Sequence, residues 1–295
     1  MNDYCIRAIA ANAQIRAFAI DSTSLVATAC RIHKTSATAS AALGRTLTAT
    51  SLMGILAGNE NDLITISIRG DGALGGILTT ADGLGRVRGY VHNPMADAPP
   101  KQNGKLDVSK IVGQGTITVI KDLGLKEPYS GTLELVSGEI AEDIAQYFGV
   151  SEQIPTILSL GVLVDTDLSI RAAGGFLIQL MPFYDEALID QLEGIIKDFP
   201  PVTSLIDSGK KPEDILDLLL SKFGYEITEK KEVSYHCNCS KERVHNSLAT
   251  ISKKELQEMI KQDGKAEINC SFCNSDYIFS KEELLAILEG LTGGV

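Results

Sequence analysis

The chain carries Cys237-Asn238-Cys239 and, after an excursion of 30 residues, Cys270-Ser271-Phe272-Cys273. These pairs take four of its six cysteines. Two close pairs separated by a few tens of residues can bring four thiolates around one tetrahedral ion, and zinc is the usual occupant of such a site. The second pair has ordinary C-x-x-C spacing. The first is one residue tighter, and the excursion is longer than the 15–20 residues common in zinc ribbons. The alternative is four unrelated buried thiols. His236 and His245 lie near enough to replace one sulfur, although a histidine beside a cysteine site is more often a surface residue.

The spacing carries a redox expectation. A structural zinc ion contributes roughly 10–16 kcal/mol of apparent binding energy, which doubles as folding energy. If an oxidant attacks the thiolates, the nearest partner of each is its own pair-mate. Cys237 would join Cys239 and Cys270 would join Cys273. Each ring is short, restricts the unfolded chain little, and is strained enough to be reduced again. Neither joins the two halves. Oxidation would thus exchange a long-range staple for two local clips and loosen the segment.

Working outward, 295 residues with a hydrophobic fraction of 44% can bury a sizeable core in one or two domains. The net charge of −11 argues against a nucleic-acid partner, and acidic residues outnumber basic ones within 232–295 as well. The N-terminus lacks the long apolar run of a signal peptide, and no stretch is long enough to span a bilayer. The expected location is cytoplasmic, where paired thiols usually mean metal or redox chemistry. Cys5 and Cys30, in apolar or small-residue surroundings, read as inert core thiols.

The spacing predicts a hairpin over 6–10 and 14–20, bending at Asn12. A helix capped by Asp21 or Ser22 follows, with Leu25, Val26, Ala29 and Ile32 on one face. A long helix over 38–56 is rich in Ala, Thr and Ser. Strands are predicted over 63–68, 75–80, 85–91, 115–120, 131–136, 157–164, 169–173 and 176–181. A short helix over 140–148 is expected to stop at Gly149. Gly70-Asp71-Gly72-Ala73-Leu74-Gly75 matches G-x-G-x-x-G, but a strand rather than a helix follows, so it reads as a hairpin connection and not a nucleotide site.

Beyond Pro182 the pattern turns helical. Leu188, Leu192, Ile195 and Ile196 form one apolar stripe, and Ile215, Leu218 and Leu219 belong to a second, opened by Pro212 and closed by Gly224. Residues 182–234 are either an ordinary helical subdomain or a cover over the first domain, held in place by the zinc site. Near the end, Ser252-x-x-Glu255 and Ser280-x-x-Glu283 are capping boxes, and 268–279 is a hairpin candidate with the second cysteine pair at its bend.

These residues resemble the heat shock protein 33 family. The cysteine motif carries most of the likeness. Ala42-Leu43-Gly44-Arg45, Val136-Ser137-Gly138-Glu139, Ser151-Glu152-Gln153-Ile154-Pro155, Gly174-Gly175-Phe176 with Gln179, and Met181-Pro182 extend it over the chain. The resemblance implies an α+β fold. A sheet-rich N-terminal core and client-binding domain would span 1–181, an amphipathic helical linker 182–234, and a small zinc-binding redox-switch domain 235–295. It implies a non-enzymatic, ATP-independent holdase, inactive when reduced and holding one Zn2+ per chain on Cys237, Cys239, Cys270 and Cys273. Formation of the two local disulfides would release zinc and unfold the linker. The apolar residues Leu188, Leu192, Ile195, Ile196, Ile215, Leu218 and Leu219 would then serve autoinhibition or client binding. Expected partners are unfolding proteins, a second copy in the oxidised state, and ATP-dependent foldases that receive the clients; nucleic acid and membrane are not expected.

Two rivals remain on the residues alone. A zinc-containing thiol–disulfide oxidoreductase would place C-x-x-C at a helix N-terminus to lower one thiol's pKa, whereas Tyr277-Ile278-Phe279 reads as strand. A zinc-ribbon nucleic-acid binder would have a basic zinc segment. His33 and His92 read as core or surface residues, with no catalytic constellation around them.

Overall fold

Ile6, Ala8 and Ala10 alternate with Cys5, Arg7 and Ile9, so the first strand offers an apolar set to one face and, apart from Arg7, to the other. The computed structural model describes residues 3–290 and pairs β1 (Tyr4–Ala10) with β2 (Ile15–Asp21) in the predicted hairpin. Ala11, Asn12 and Ala13 all take positive φ in the turn. Helix α1 (Thr23–His33) follows. Asp21 accepts from the Thr23 amide (3.0 Å), but the next two amides, Ser24 and Leu25, are met by Asp3 from a distance (3.1 and 2.7 Å). Ser22, the other expected cap, instead spends its hydroxyl on Thr48 (2.7 Å).

Helix α2 (Ala37–Ala57) is buried along most of its length. Its Thr46, Thr48 and Thr50 hydroxyls return to carbonyls one turn back, at 2.7–2.8 Å, and so bring no unmet polar group into the core. One side of α2 carries a six-stranded sheet. Five of its members are β3 (Leu63–Gly70), β4 (Ile77–Asp82), β5 (Arg86–Val91) and, after the short α3 (Val108–Val112), β6 (Gly115–Asp122) and β7 (Tyr129–Glu134), and the sixth is a short strand from late in the chain, beside β5. The glycine-rich segment is the β3–β4 connection. A Cβ on Gly70 would lie 1.9 Å from the Val112 carbonyl oxygen, so close backbone approach accounts for its glycine.

After β7 comes α4 (Ala141–Tyr147). It does not stop at Gly149. A π turn carries it through Phe148–Glu152, and Gln153 in the left-handed region ends it. Strands β8 (Thr156–Val164) and β9 (Ile170–Leu180) then join the first hairpin. The sequence suggested two strands broken at Gly174-Gly175, yet β9 is continuous. These glycines are there for space: a Cβ on Gly174 would lie 2.4 Å from Ile206 Cδ1, and one on Gly175 would lie 2.4 Å from the Ser159 carbonyl oxygen.

Beyond β9 run α5 (Ala187–Lys197), α6 (Val202–Asp207) and α7 (Pro212–Leu220). The segment 182–234 is not helical throughout. β10 (Tyr225–Glu232) pairs antiparallel with β1, and β11 (Ser234–Tyr235) pairs parallel with β5. This gives a five-stranded sheet in the order β10-β1-β2-β9-β8. Phe18, Ile20, Ala173 and Leu177 pack with α1 and α2 on one face. Ile6, Ala8, Ile15, Ala17, Phe176 and Ile178 face Leu188, Leu192, Val202, Ile206, Ile215, Leu216, Leu219 and Leu220 on the other. Ile195 and Ile196 are partly buried in the same cluster. Leu218 departs from the expectation: it is 49% exposed, because residues 215, 216, 219 and 220 already fill the buried stripe of α7.

The chain divides into two compact units, Met1–His236 and Cys237–Val295, so the helices α5–α7 lie within the first. Polar contacts pin them at the rim. Arg171 bonds Asp207 (2.6 Å), and Glu213 accepts from Tyr4 (2.6 Å) and from Lys230 (3.3 Å), whose ammonium lies 3.7 Å from the Tyr4 ring centre. The second unit holds α8 (Lys241–Leu248), α9 (Lys253–Gln262), the hairpin β12 (Lys265–Asn269) with β13 (Asp276–Ser280), and α10 (Lys281–Gly290). Both predicted capping boxes form, with Ser252–Glu255 and Ser280–Glu283 exchanging hydrogen bonds.

Leu219→Ala should cost about 2–5 kcal/mol, since a fully buried side chain leaves a cavity, while Leu218→Ala should change stability by no more than about 0.5 kcal/mol. Denaturant unfolding of both variants checks this, and equal losses would mean that α7 is turned differently. Partial burial opposes ionisation of Glu213, but the Tyr4 hydroxyl and Lys230 outweigh it and hold its carboxyl below the usual value. That contribution is present above the unfolded-state pKa and is lost as pH falls through the depressed folded one. Hydrogen exchange in α7 should quicken over that acidic window, less so in Tyr4→Phe; a flat profile would contradict the contact.

Candidate metal centre

Cys237 follows β11 by one residue, and Ser240 caps α8 by accepting from the Arg243 amide (3.3 Å), so the C-x-C is held between a strand and a helix start. The second pair sits at the β12–β13 bend. There the Cys270 carbonyl accepts from the Cys273 and Asn274 amides (3.2 and 2.7 Å), Cys270 donates to the Ser275 carbonyl (2.9 Å), and Asn274 takes the left-handed conformation that closes the turn. Both turns present their sulfurs to one place. All four Sγ atoms lie within 4.8 Å of one another. Cys237 and Cys270 sulfurs are 3.8 Å apart, and those of Cys239 and Cys273 are 3.3 Å apart. A tetrahedron of thiolates at about 2.3 Å from its centre has edges of about 3.8 Å. The residues therefore fit a tetrahedral metal ion.

The contacts between pairs matter for the redox expectation. Cys237 and Cys239 each touch a thiol of the other pair, so proximity in the folded state does not single out the pair-mate as the nearest partner. Only chain connectivity favours the local disulfides, once the two turns have parted.

Burial, followed by contact with the Cys239 thiol and then the Cys270 thiol, pushes the Cys237 thiol up to about 12, and burial raises Cys239 too. Burial also opposes ionisation of Cys273, but hydrogen bonds with Ser275, Cys239 and Cys270 together outweigh it and hold that thiol at about 7. A central cation would override these shifts, because it stabilises every thiolate at once. Two residues complete the site that the spacing did not single out. The Tyr277 hydroxyl donates to Cys239 Sγ (3.0 Å), which raises the tyrosine to about 12. Ser275 lies 3.3 Å from Cys273 Sγ. No sequence signal marked either beyond its place in the hairpin. Beneath the site, Leu248, Leu256, Ile260, Ala266, Phe279, Leu284 and Ile287 form a small core, of the kind that needs a staple.

Neither His236 nor His245 joins the sulfur cluster, and both are exposed. Cys5 and Cys30 are buried in the first unit, where desolvation raises both thiols. His33 bonds the Tyr235 hydroxyl (3.2 Å) and His92 stacks on Tyr90.

The Hsp33 protein family matches residues 3–280. The chain belongs to that family. The 33 kDa chaperonin of Lachnoclostridium phytofermentans is 50% identical over 288 residues, covering 98% of this chain and 99% of that protein. That of Clostridioides difficile is 49% identical over 290 residues, with 98% and 99% covered. The crystal structure of the 33 kDa chaperonin, a heat shock protein 33 homolog, from Thermotoga maritima superposes with a TM-score of 0.91 at 35% identity, covering 99% of both chains. The Hsp33 relatives are named chaperonins, so this is a chaperone family, and the α+β fold expected of it is present. No described helix is long and apolar enough to cross a membrane.

Replacing Cys270 and Cys273 together by Ser should abolish metal binding, measured as metal per chain by elemental analysis after purification with zinc. Full stoichiometry in the variant would mean other ligands.

Proposed function

We propose that this chain is a redox-regulated, ATP-independent holdase whose four thiolates hold one zinc ion in the reduced state. The observation that carries the reading is the convergence of Cys237, Cys239, Cys270 and Cys273 across 30 intervening residues, above a small core. Bound zinc would supply charge neutralisation and a cross-link. The chain's own part is to present four sulfurs, two from the stretch before α8 and two from the hairpin bend.

In the proposed switch, two thiolates, one hydrogen peroxide and two protons give one disulfide and two waters, and the second pair reacts in the same way. The disulfides are Cys237 with Cys239 and Cys270 with Cys273. Neither spans the excursion, so the second unit loses the link between its halves. Its chain continues directly from β11 and β10, and its loosening would weaken the hold on the linker, 182–234. Departure of α5–α7 would bare Ile15, Ala17, Phe176 and Ile178 with the apolar stripes of the helices themselves. Broad apolar surface of this kind binds unfolding chains without selecting a sequence. In this reading 1–181 is the client-binding core and 235–295 the switch, the oxidised form pairs with a second copy, and clients pass to ATP-dependent foldases in the cytoplasm.

A thiol–disulfide oxidoreductase is the less favoured alternative. Cys270 and Cys273 lie in a β-turn rather than at a helix N-terminus, where a dipole would activate one of them.

Light scattering of a heat-unfolding client tests the proposal. The reduced, zinc-loaded chain should fail to suppress aggregation, and the chain treated with peroxide at elevated temperature should suppress it. Suppression by neither, or equally by both, would overturn the redox-regulated holdase.

A further inference from the structure

The small core of the second unit holds Tyr277 by its ring, while its hydroxyl reaches a sulfur of the opposite cysteine pair. Tyr277 stands on β13, opposite Ile268 on β12, four residues beyond Cys273. Cys239 belongs to the stretch before α8. The 3.0 Å contact from the Tyr277 hydroxyl to Cys239 Sγ therefore ties the two halves of the site together independently of any metal. Its direction is fixed by chemistry. A metal-bound thiolate has no proton to give, so the tyrosine is the donor.

We propose that Tyr277 is a positioning residue for the metal centre, whose hydroxyl steadies Cys239 as a thiolate ligand and restrains its reaction with oxidants. This deepens the zinc-holdase reading above and rests on it. Four thiolates around a divalent cation leave an excess of negative charge, so a donor to one sulfur favours the bound state. The same hydrogen bond draws on the sulfur lone pair. That lone pair attacks the peroxide oxygen and expels hydroxide in the first step toward a disulfide, and a sulfur so engaged attacks more slowly. Tyr277 thus links the hold on the ion to the sensitivity of the first pair.

Tyr277→Phe keeps the ring in the core and removes only the hydroxyl. In the full chain, zinc affinity measured by chelator competition should fall about 10–100-fold, the range for loss of a group that supports a ligand. With Co2+ as probe, the sulfur-to-metal charge-transfer band should move to longer wavelength, because an unbonded thiolate holds its electrons less tightly. Peroxide should consume Cys237 and Cys239 faster relative to Cys270 and Cys273, read by mass mapping of alkylated thiols. If Tyr277→Phe fails to fold, site-specific 3-fluorotyrosine at position 277 retains the contact with a stronger donor and should move the Co2+ band to shorter wavelength. A purely structural tyrosine would leave the band unmoved in both. Unchanged affinity with an unmoved band in a wild-type-like fold overturns this role for Tyr277 alone. A wild-type chain that binds neither Zn2+ nor Co2+ overturns the zinc reading, and this inference with it.

Discussion

A sheet that is apolar on both faces has to be covered twice. That constraint organises the first unit. The strands β1, β2 and β9 send Phe18, Ile20 and Leu177 one way and Ile6, Ile15 and Phe176 the other. One cover is α1 and α2, tied into the six-stranded sheet beyond them. The other is α5–α7, and it is made differently. It consists of short helices joined by turns, seated on Gly161 and Gly174. A fully buried leucine or isoleucine contributes roughly 1.5–3 kcal/mol, so the second cover is not weak. Its rim contacts, Arg171–Asp207 and Tyr4–Glu213–Lys230, are exposed or part-buried and of modest strength.

The second unit meets the opposite problem. Its core is small, and no element of it encloses the rest. The strongest available link between the stretch before α8 and the β12–β13 bend is whatever the four sulfurs hold together. Lys241–Glu283 and the Tyr277–Cys239 hydrogen bond join distant parts of the unit as well, but at exposed or half-exposed positions. On the proposed reading, placing redox-sensitive groups at the main cross-link would make the stability of this unit depend on their oxidation state.

Much of this was legible because period and punctuation agree with the final packing. The first hairpin, the long small-residue helix, the strands over 63–136 and both capping boxes follow from local pattern. The cysteine spacing found the four sulfurs that converge, since chemistry restricts what two close thiol pairs can do. The misreadings share a cause. Gly174-Gly175 and Gly149 read as punctuation in the sequence, whereas the first two make room for neighbours and the third lies inside a π turn. Leu218 looked like part of an apolar stripe that its neighbours already fill. Strand β10 shows little apolar alternation, because it is a charged edge. Tyr277 and Ser275 depend on a fold-back that nothing local records.

That charged edge has a consequence of its own. Tyr225–Glu232 reads YEITEKKE, and edge strands rich in Lys and Glu discourage unwanted pairing with other chains. It shields β1, whose single charge is Arg7. Should 182–234 detach as one piece, the guard would leave with the cover. A row of main-chain amides and carbonyls would then open along β1, beside a newly bare apolar face. Main-chain hydrogen bonding is indifferent to side-chain identity, so such a margin would accept extended segments of unrelated proteins on equal terms.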